Sequence, residues 1–282
     1  MVETASKTNI RSRILADCSF YEFGLDAYLG AEPAGNGSEK KFPPPPGDNS
    51  TDKVLITANS ETDDAHPMIT TIIFDLDGLL ADTEKLHWRA YQEALQVHGT
   101  VLTEDEYAEH WVRAGKGIGD WLAQHGLPLD PLALRAHKSK RYLELLATEL
   151  RPMTGALELL EGLRGKKTLA LASSSYRDAV DGVVRGLDIG HYFHAIVTGL
   201  DVERVKPAPD IFLAAARRAG ARPSQCLVLE DAEKGVLAAR EAGMSCIAVP
   251  TEQTRHHDFS QATRVCSSLN EITLELIDSL NH

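Results

Sequence analysis

From residue 69 onward the apolar positions follow two alternating rhythms. Ile72, Ile73 and Phe74 make an unbroken apolar run that stops at Asp75, the pattern of a short strand buried on both faces. Leu86, Ala90, Tyr91, Ala94 and Leu95 then fall on one helical stripe, and Gly99 supplies a stop. Three more helical stretches are expected at 104–113, 117–125 and 130–148, with no strand among them. After them the alternation resumes. Strands are expected at 169–172, 195–198, 227–229 and 246–249, with helices at 178–187, 209–219 and 234–242 between or after them. A last helix is expected over 269–280. Repeated strand–helix units predict an α/β fold with a parallel sheet covered by helices. The all-helical stretch at about 85–150 is then an insertion after the first strand.

Residues 1–67 have a different character. The stretch 31–52 contains GNGSEKK, then Pro43 to Pro46, then GDNSTD, a composition with too little apolar surface to form a core. Ile14, Leu15, Phe20, Tyr21, Phe23, Leu25, Tyr28 and Leu29 are enough for a short docking helix, but a disordered leader is the expectation. The domains expected are therefore an N-terminal extension over 1–67, a catalytic core from 68–84 and 150–282, and a helical cap over 85–149.

Charge and cysteine usage narrow the function. The formal charge of −12 disfavours nucleic acid and anionic lipid as partners. No apolar run reaches the roughly 18 residues of a membrane span. Cys18, Cys226, Cys246 and Cys266 form no CxxC pair, and Cys226 and Cys246 sit in apolar strands as small buried hydrophobes. The N-terminus has no basic segment leading into an apolar stretch, and 1–67 is richer in acids than a transit peptide. A reduced, cytoplasmic protein is expected.

Four clusters carry the candidate chemistry, each at the end of an expected strand, where ligands bind in open parallel sheets. Asp75-Leu76-Asp77-Gly78 places two carboxylates two residues apart before a turn. One can hold a cation and attack phosphorus while the other serves as acid and base. Two solvated aspartates in a polar turn are the plain alternative. Ser173-Ser174-Ser175 offers hydroxyls and N–H groups to an anion, or simply helix caps. Lys206-Pro207 presents an ammonium suited to phosphate oxygens on a stiffened loop, or a solvated lysine. Glu230-Asp231 can complete an oxygen-rich magnesium site, or cap the next helix. Separately each signal is weak, but together they supply every part needed for phosphoryl transfer.

FDLDGLL, ALASSS, VKPAPD and LVLEDAEKG, in that order, resemble the four motifs of the haloacid dehalogenase superfamily. The resemblance is closest to its β-phosphoglucomutase-like phosphatase branch and covers about residues 69 to 250. It implies a Rossmann-like parallel sheet core with an inserted all-helical cap domain. It also implies Asp75 as nucleophile, Asp77 as general acid/base, and Ser173, Ser174 and Lys206 as phosphate binders. Mg2+ would be held by Asp75, the Asp77 carbonyl and Asp231, with Glu230 beside them. Asp77 distinguishes the chain from dehalogenases of the superfamily, which lack that second aspartate. In the cap, His87 and Lys138 fall where the branch often carries a His and a Lys facing the site. Gly115 and Lys116 lie in its specificity loop. The mutases carry an arginine three residues after that glycine, where this chain has Ile118.

The expected function is a magnesium-dependent phosphatase of a sugar or polyol phosphate, acting through an aspartyl-phosphate. The alternative is a β-phosphoglucomutase-like phosphomutase, and the contrasting class is a catalytically idle scaffold. Its partner would be a small phosphate ester, with no nucleic acid or membrane, in a monomer or weak dimer. His256 and His257 read as a solvated loop.

Overall fold

The computed structural model describes residues 68–280, so the expectations for 1–67, Cys18 included, lie outside the described residues. Six strands form one parallel sheet: β1 Thr71–Phe74, β2 Thr168–Ala172, β3 Ala195–Val197, β4 Cys226–Glu230, β5 Ser245–Ala248 and β6 Arg264–Val265, in the order β3-β2-β1-β4-β5-β6. β1 lies between β2 and β4. Alternate residues of the central strands feed two cores. Ile72, Phe74, Leu169, Leu171, Leu227 and Leu229 belong to one, and Ile73, Ala170, Ala172 and Val228 to the other. A strand that faces helices on both sides has no polar side to alternate, which is why the run before Asp75 is continuous.

Helices α7 Asp210–Arg218 and α8 Glu233–Glu241 cover the second face with small residues such as Ala215 and Ala239. α5 Ala156–Leu163 and α6 Arg177–Leu187 cover the first, joined by α9 Leu274–Ser279. The expected helix over 269–280 is broken. A 3-10 turn occupies Leu269–Glu271, and Thr273 then caps α9 by accepting the Leu276 N–H. The sequence reading also lacks α5 and β6.

Between β1 and α5 the chain is entirely helical: α1 Glu84–Gln96, α2 Glu104–Tyr107, α3 Ile118–Gln124 and α4 Pro131–Glu149. α2 runs on into a π-helical turn at Ala108–Arg113, so the expected helix at 104–113 is regular only in its first half. Tyr91, Leu95, Tyr107, Val112, Trp121 and Leu134 form this block's own core. Among the described residues, no helix is long and apolar enough to cross a membrane, and Cys226, Cys246 and Cys266 are free thiols.

Candidate active site

The sheet places the four sequence clusters together. Asp75 follows β1, donating its N–H to the Leu229 carbonyl on the neighbouring strand, so its side chain leaves the carboxyl edge beside Glu230. Lys206 is 2% exposed, and its ammonium donates to Asp75, to Glu230 Oε1 at 2.6 Å and to the Ala172 carbonyl at 3.0 Å. Glu230 spends its other oxygen on the N–H groups of Asp231 (3.0 Å) and Ala232 (3.1 Å). The carboxylates of Asp75, Glu230 and Asp231 each offer an oxygen within 4.8 Å of one another. Three buried carboxylates thus face one lysine.

The electrostatics record that imbalance. Burial, reinforced by Glu230 and Asp77 and opposed by Lys206, pushes the Asp75 carboxyl up to about 7. Burial beside Glu230 and Asp75 pushes Asp231 well above the carboxylate range. For Lys206, burial works against the charge, but Asp75 and Glu230 outweigh it and raise its pKa. Asp231 Oδ2 is buried and accepts no hydrogen bond. An unpaired buried carboxylate oxygen is costly, and in such a cluster it fits a cation ligand. The donor set is all oxygen, as hard divalent cations require.

Asp77 is held differently. Its Oδ1 accepts from Thr83 Oγ1 at 2.6 Å and from His87 Nε2 at 3.1 Å; its Oδ2 accepts from Ser175 Oγ at 2.8 Å and Ser173 Oγ at 3.1 Å. Burial opposes the charge, yet the His87 ring and these hydroxyls hold the carboxyl well below its usual range. Because Lys138 Nζ sits 2.7 Å from His87 Nδ1, that nitrogen accepts and Nε2 carries the proton donated to Asp77. His87 and Lys138, on α1 and α4, are 6% and 7% exposed, so the cap reaches Asp77 through them. Burial lowers the Lys138 pKa to about 8, with Asp77 and Asp178 pulling against the shift.

The serines serve this site instead of capping α6, whose N-cap, Tyr176, makes no side-chain cap bond. Ser174 Oγ is buried without a partner, and Ser174 lines a cavity of about 260 Å3 with Asp77, His87, Gly115, Lys138 and Lys206. Gly115 has a φ of +64°, and a Cβ there would stand 2.8 Å from the Lys206 carbonyl oxygen. The cap loop therefore rests against the loop that carries the lysine. Lys116 is exposed at the cavity's rim, whereas Arg113 is engaged by Glu109 and Glu233.

Two further points depart from the sequence reading. His257 is not solvated: it is 7% exposed, and its Nδ1 accepts the Glu233 N–H at the start of α8. Thr83 and Ser175, both bonded to Asp77, are absent from the sequence candidates. Thr83 precedes a helix and reads as a cap; its hydroxyl goes to Asp77 instead.

A family model described as haloacid dehalogenase-like hydrolase matches residues 69–243. The fructose-1-phosphate phosphatase YqaB of Escherichia coli is 33% identical over 184 residues, which cover 63% of this chain and 95% of that protein. The crystal structure of CbbY from Rhodobacter sphaeroides in complex with phosphate matches with a TM-score of 0.70 at 32% identity, covering 75% of this chain and 100% of that one. A β-phosphoglucomutase from Clostridium difficile shares the fold, with a TM-score of 0.66 at 23% identity over 76% of this chain and 97% of that one. The chain belongs to the haloacid dehalogenase-like hydrolase family, as a phosphoric monoester hydrolase.

Proposed function

We propose that the protein is a magnesium-dependent phosphatase of a small sugar or polyol phosphate, working through a phosphorylated Asp75. One observation carries the reading. Asp75, Glu230 and Asp231 converge with Lys206 as their partner in charge, leaving two carboxylates without a cation once all three ionise, and Asp231 Oδ2 without a donor. That deficit is the charge of one divalent cation. Asp75 and Asp231 would hold it with the Asp77 carbonyl, and Glu230 supports them from behind, since its oxygens already serve Lys206 and two N–H groups. When bound, the ion offsets phosphate charge and orients the ester.

This chain's residues divide the remaining work. An Asp75 oxygen attacks phosphorus, and the bond to the ester oxygen breaks. Asp77, once protonated, gives its proton to the departing alkoxide. In the second step Asp77 takes a proton from water, the water oxygen attacks phosphorus, and the Asp75–phosphorus bond breaks to release phosphate. Asp77 is in its base form as it stands; a phosphate dianion placed beside it raises its pKa toward the acid form. Ser173, Ser174 and Lys206 would grip the transferring group, where positioning and charge stabilisation supply most of the rate. The cap, over 85–149, would close the site. His87 and Lys138 would fix Asp77, and Gly115 and Lys116 would border the substrate.

YqaB is named for a ketose 1-phosphate, which supports a sugar-phosphate substrate here. A small-molecule enzyme follows from the same reading. A phosphate-release screen over sugar and polyol monophosphates, with and without Mg2+, tests it. Isomerisation of a hexose 1-phosphate without phosphate release would favour a mutase. Silence across the panel would leave only the fold.

A further inference from the structure

The cavity over Asp77 has a second end. Arg135, Lys138 and Ser139 occupy positions i, i+3 and i+4 of α4 and line the cavity together, facing Tyr176 and Asp178 of the core. The Arg135 guanidinium lies 4.0 Å from the centre of the Tyr176 ring, and 3.9 Å separate it from Asp178 Oδ1. Among the described residues it makes no hydrogen bond, although its side chain is only 30% exposed and Asp178's 21%. Asp178 Oδ2 is taken by the Ser139 hydroxyl, while Oδ1 has only the long approach of Arg135.

Stability does not account for this arrangement. A half-exposed pair at 3.9 Å contributes little to folding. What it provides is a fixed fork of unspent donors beside an unspent acceptor, both turned to the space where a substrate lies. A hydroxyl group both donates and accepts, so it satisfies the two at once. An ionised phosphate offers acceptors only, so it would leave Asp178 Oδ1 facing another anion in place of a donor.

Resting on the phosphatase reading above, the geometry points to Arg135 and Asp178 as the residues that select the substrate. They read hydroxyls on an uncharged polyol chain, at the end remote from the phosphate, with Tyr176 as the surface that holds the guanidinium flat.

A matched pair of esters tests this. Sorbitol 6-phosphate and n-hexyl phosphate share a six-carbon chain and differ in hydroxyls. The wild-type protein is expected to prefer the sorbitol ester. Arg135→Ala and Asp178→Asn are each expected to lower kcat/KM for it by about 10- to 100-fold, the weight of a hydrogen bond to a charged group. Both should change hexyl phosphate turnover by less than about threefold, which also shows that the variants fold. Equal losses on both esters, or no loss on the sorbitol ester, would overturn the assignment while leaving the phosphatase reading intact. A strong wild-type preference for a hexose bisphosphate would overturn it too. Hydrolysis of neither ester, nor of any other monophosphate, would remove the phosphatase reading itself.

Discussion

Gly235 sits in the first turn of α8, with its Cα turned toward the Glu230 side chain. A Cβ built there would lie 1.9 Å from both Glu230 Cδ and Oε1. Glu230 is 1% exposed, so it has no solvent to retreat into. Gly235→Ala must therefore move the carboxylate off Lys206 and off the N–H groups of Asp231 and Ala232. Disturbing a buried ion pair costs about 3–5 kcal/mol, and each hydrogen bond to a charged group is worth roughly 1.5–3 kcal/mol. Partial relaxation recovers some of this, and alanine's better helix propensity returns about 1 kcal/mol. A net loss of about 4 kcal/mol is expected, a large share of the roughly 5–15 kcal/mol that holds a domain together. Gly162→Ala is the control. It makes the same change in α5 at a site with nothing within 4 Å, and should be neutral or slightly stabilising. Equilibrium unfolding in urea gives both values, and phosphate release reads whether Lys206 keeps its place. If Gly235→Ala unfolds within about 1 kcal/mol of the wild type and keeps full turnover, Glu230 is not the support assigned to it.

Three further outcomes follow from the same geometry. Asp77→Asn should form the phosphoryl-enzyme far more slowly from an alkyl phosphate than from p-nitrophenyl phosphate, whose leaving group needs no proton, as comparison of first-turnover leaving-group release will show. Lys138 drops from 10.5 to about 8 on folding, so the unfolded chain binds more protons between those values and this residue's contribution makes stability rise with pH across that window. Below about pH 8 the buried charge costs about 3 kcal/mol; Lys138→Met should be the more stable protein there and should lack the rise, measured by denaturation at several pH values. Mg2+ should raise the melting temperature, and because burial pushes Asp75 up to about 7 and Asp231 well above its ordinary value, binding should expel protons. Calorimetry in buffers of different ionisation heat measures that release.

Much of this was legible before any coordinates. The double-sided burial of β1 is written in Ile72, Ile73 and Phe74, and the strand ends put Asp75, Ser173 and Asp231 on one edge. In the charge run 138–141, Lys138 falls midway in helical phase between the buried Leu134 and Tyr142, so its inward turn was readable from spacing. Helix α5 was equally readable from Ala156, Leu159, Leu160 and Leu163. Other features depend on distant partners. β6 is two exposed residues held by the Thr263 and Cys266 N–H groups against β5, and carries no pattern of its own. The break before α9 comes from the Thr273 hydroxyl competing for a backbone donor, a local choice that apolar spacing does not express. Arg135 and Asp178 lie 43 positions apart and meet only when α4 folds over the sheet.

The central claim is that Asp75, on an edge it shares with Asp231 and Lys206, carries the phosphoryl group in the presence of a divalent cation. Asp77→Asn protein mixed with p-nitrophenyl phosphate should accept the phosphoryl group and fail to pass it to water. Peptide mass spectrometry of the quenched mixture should then find one added phosphoryl mass on Asp75, present with Mg2+ and absent with chelator. Phosphate release with Asp75 unmodified throughout, matched by undiminished turnover of Asp75→Asn, would contradict the account.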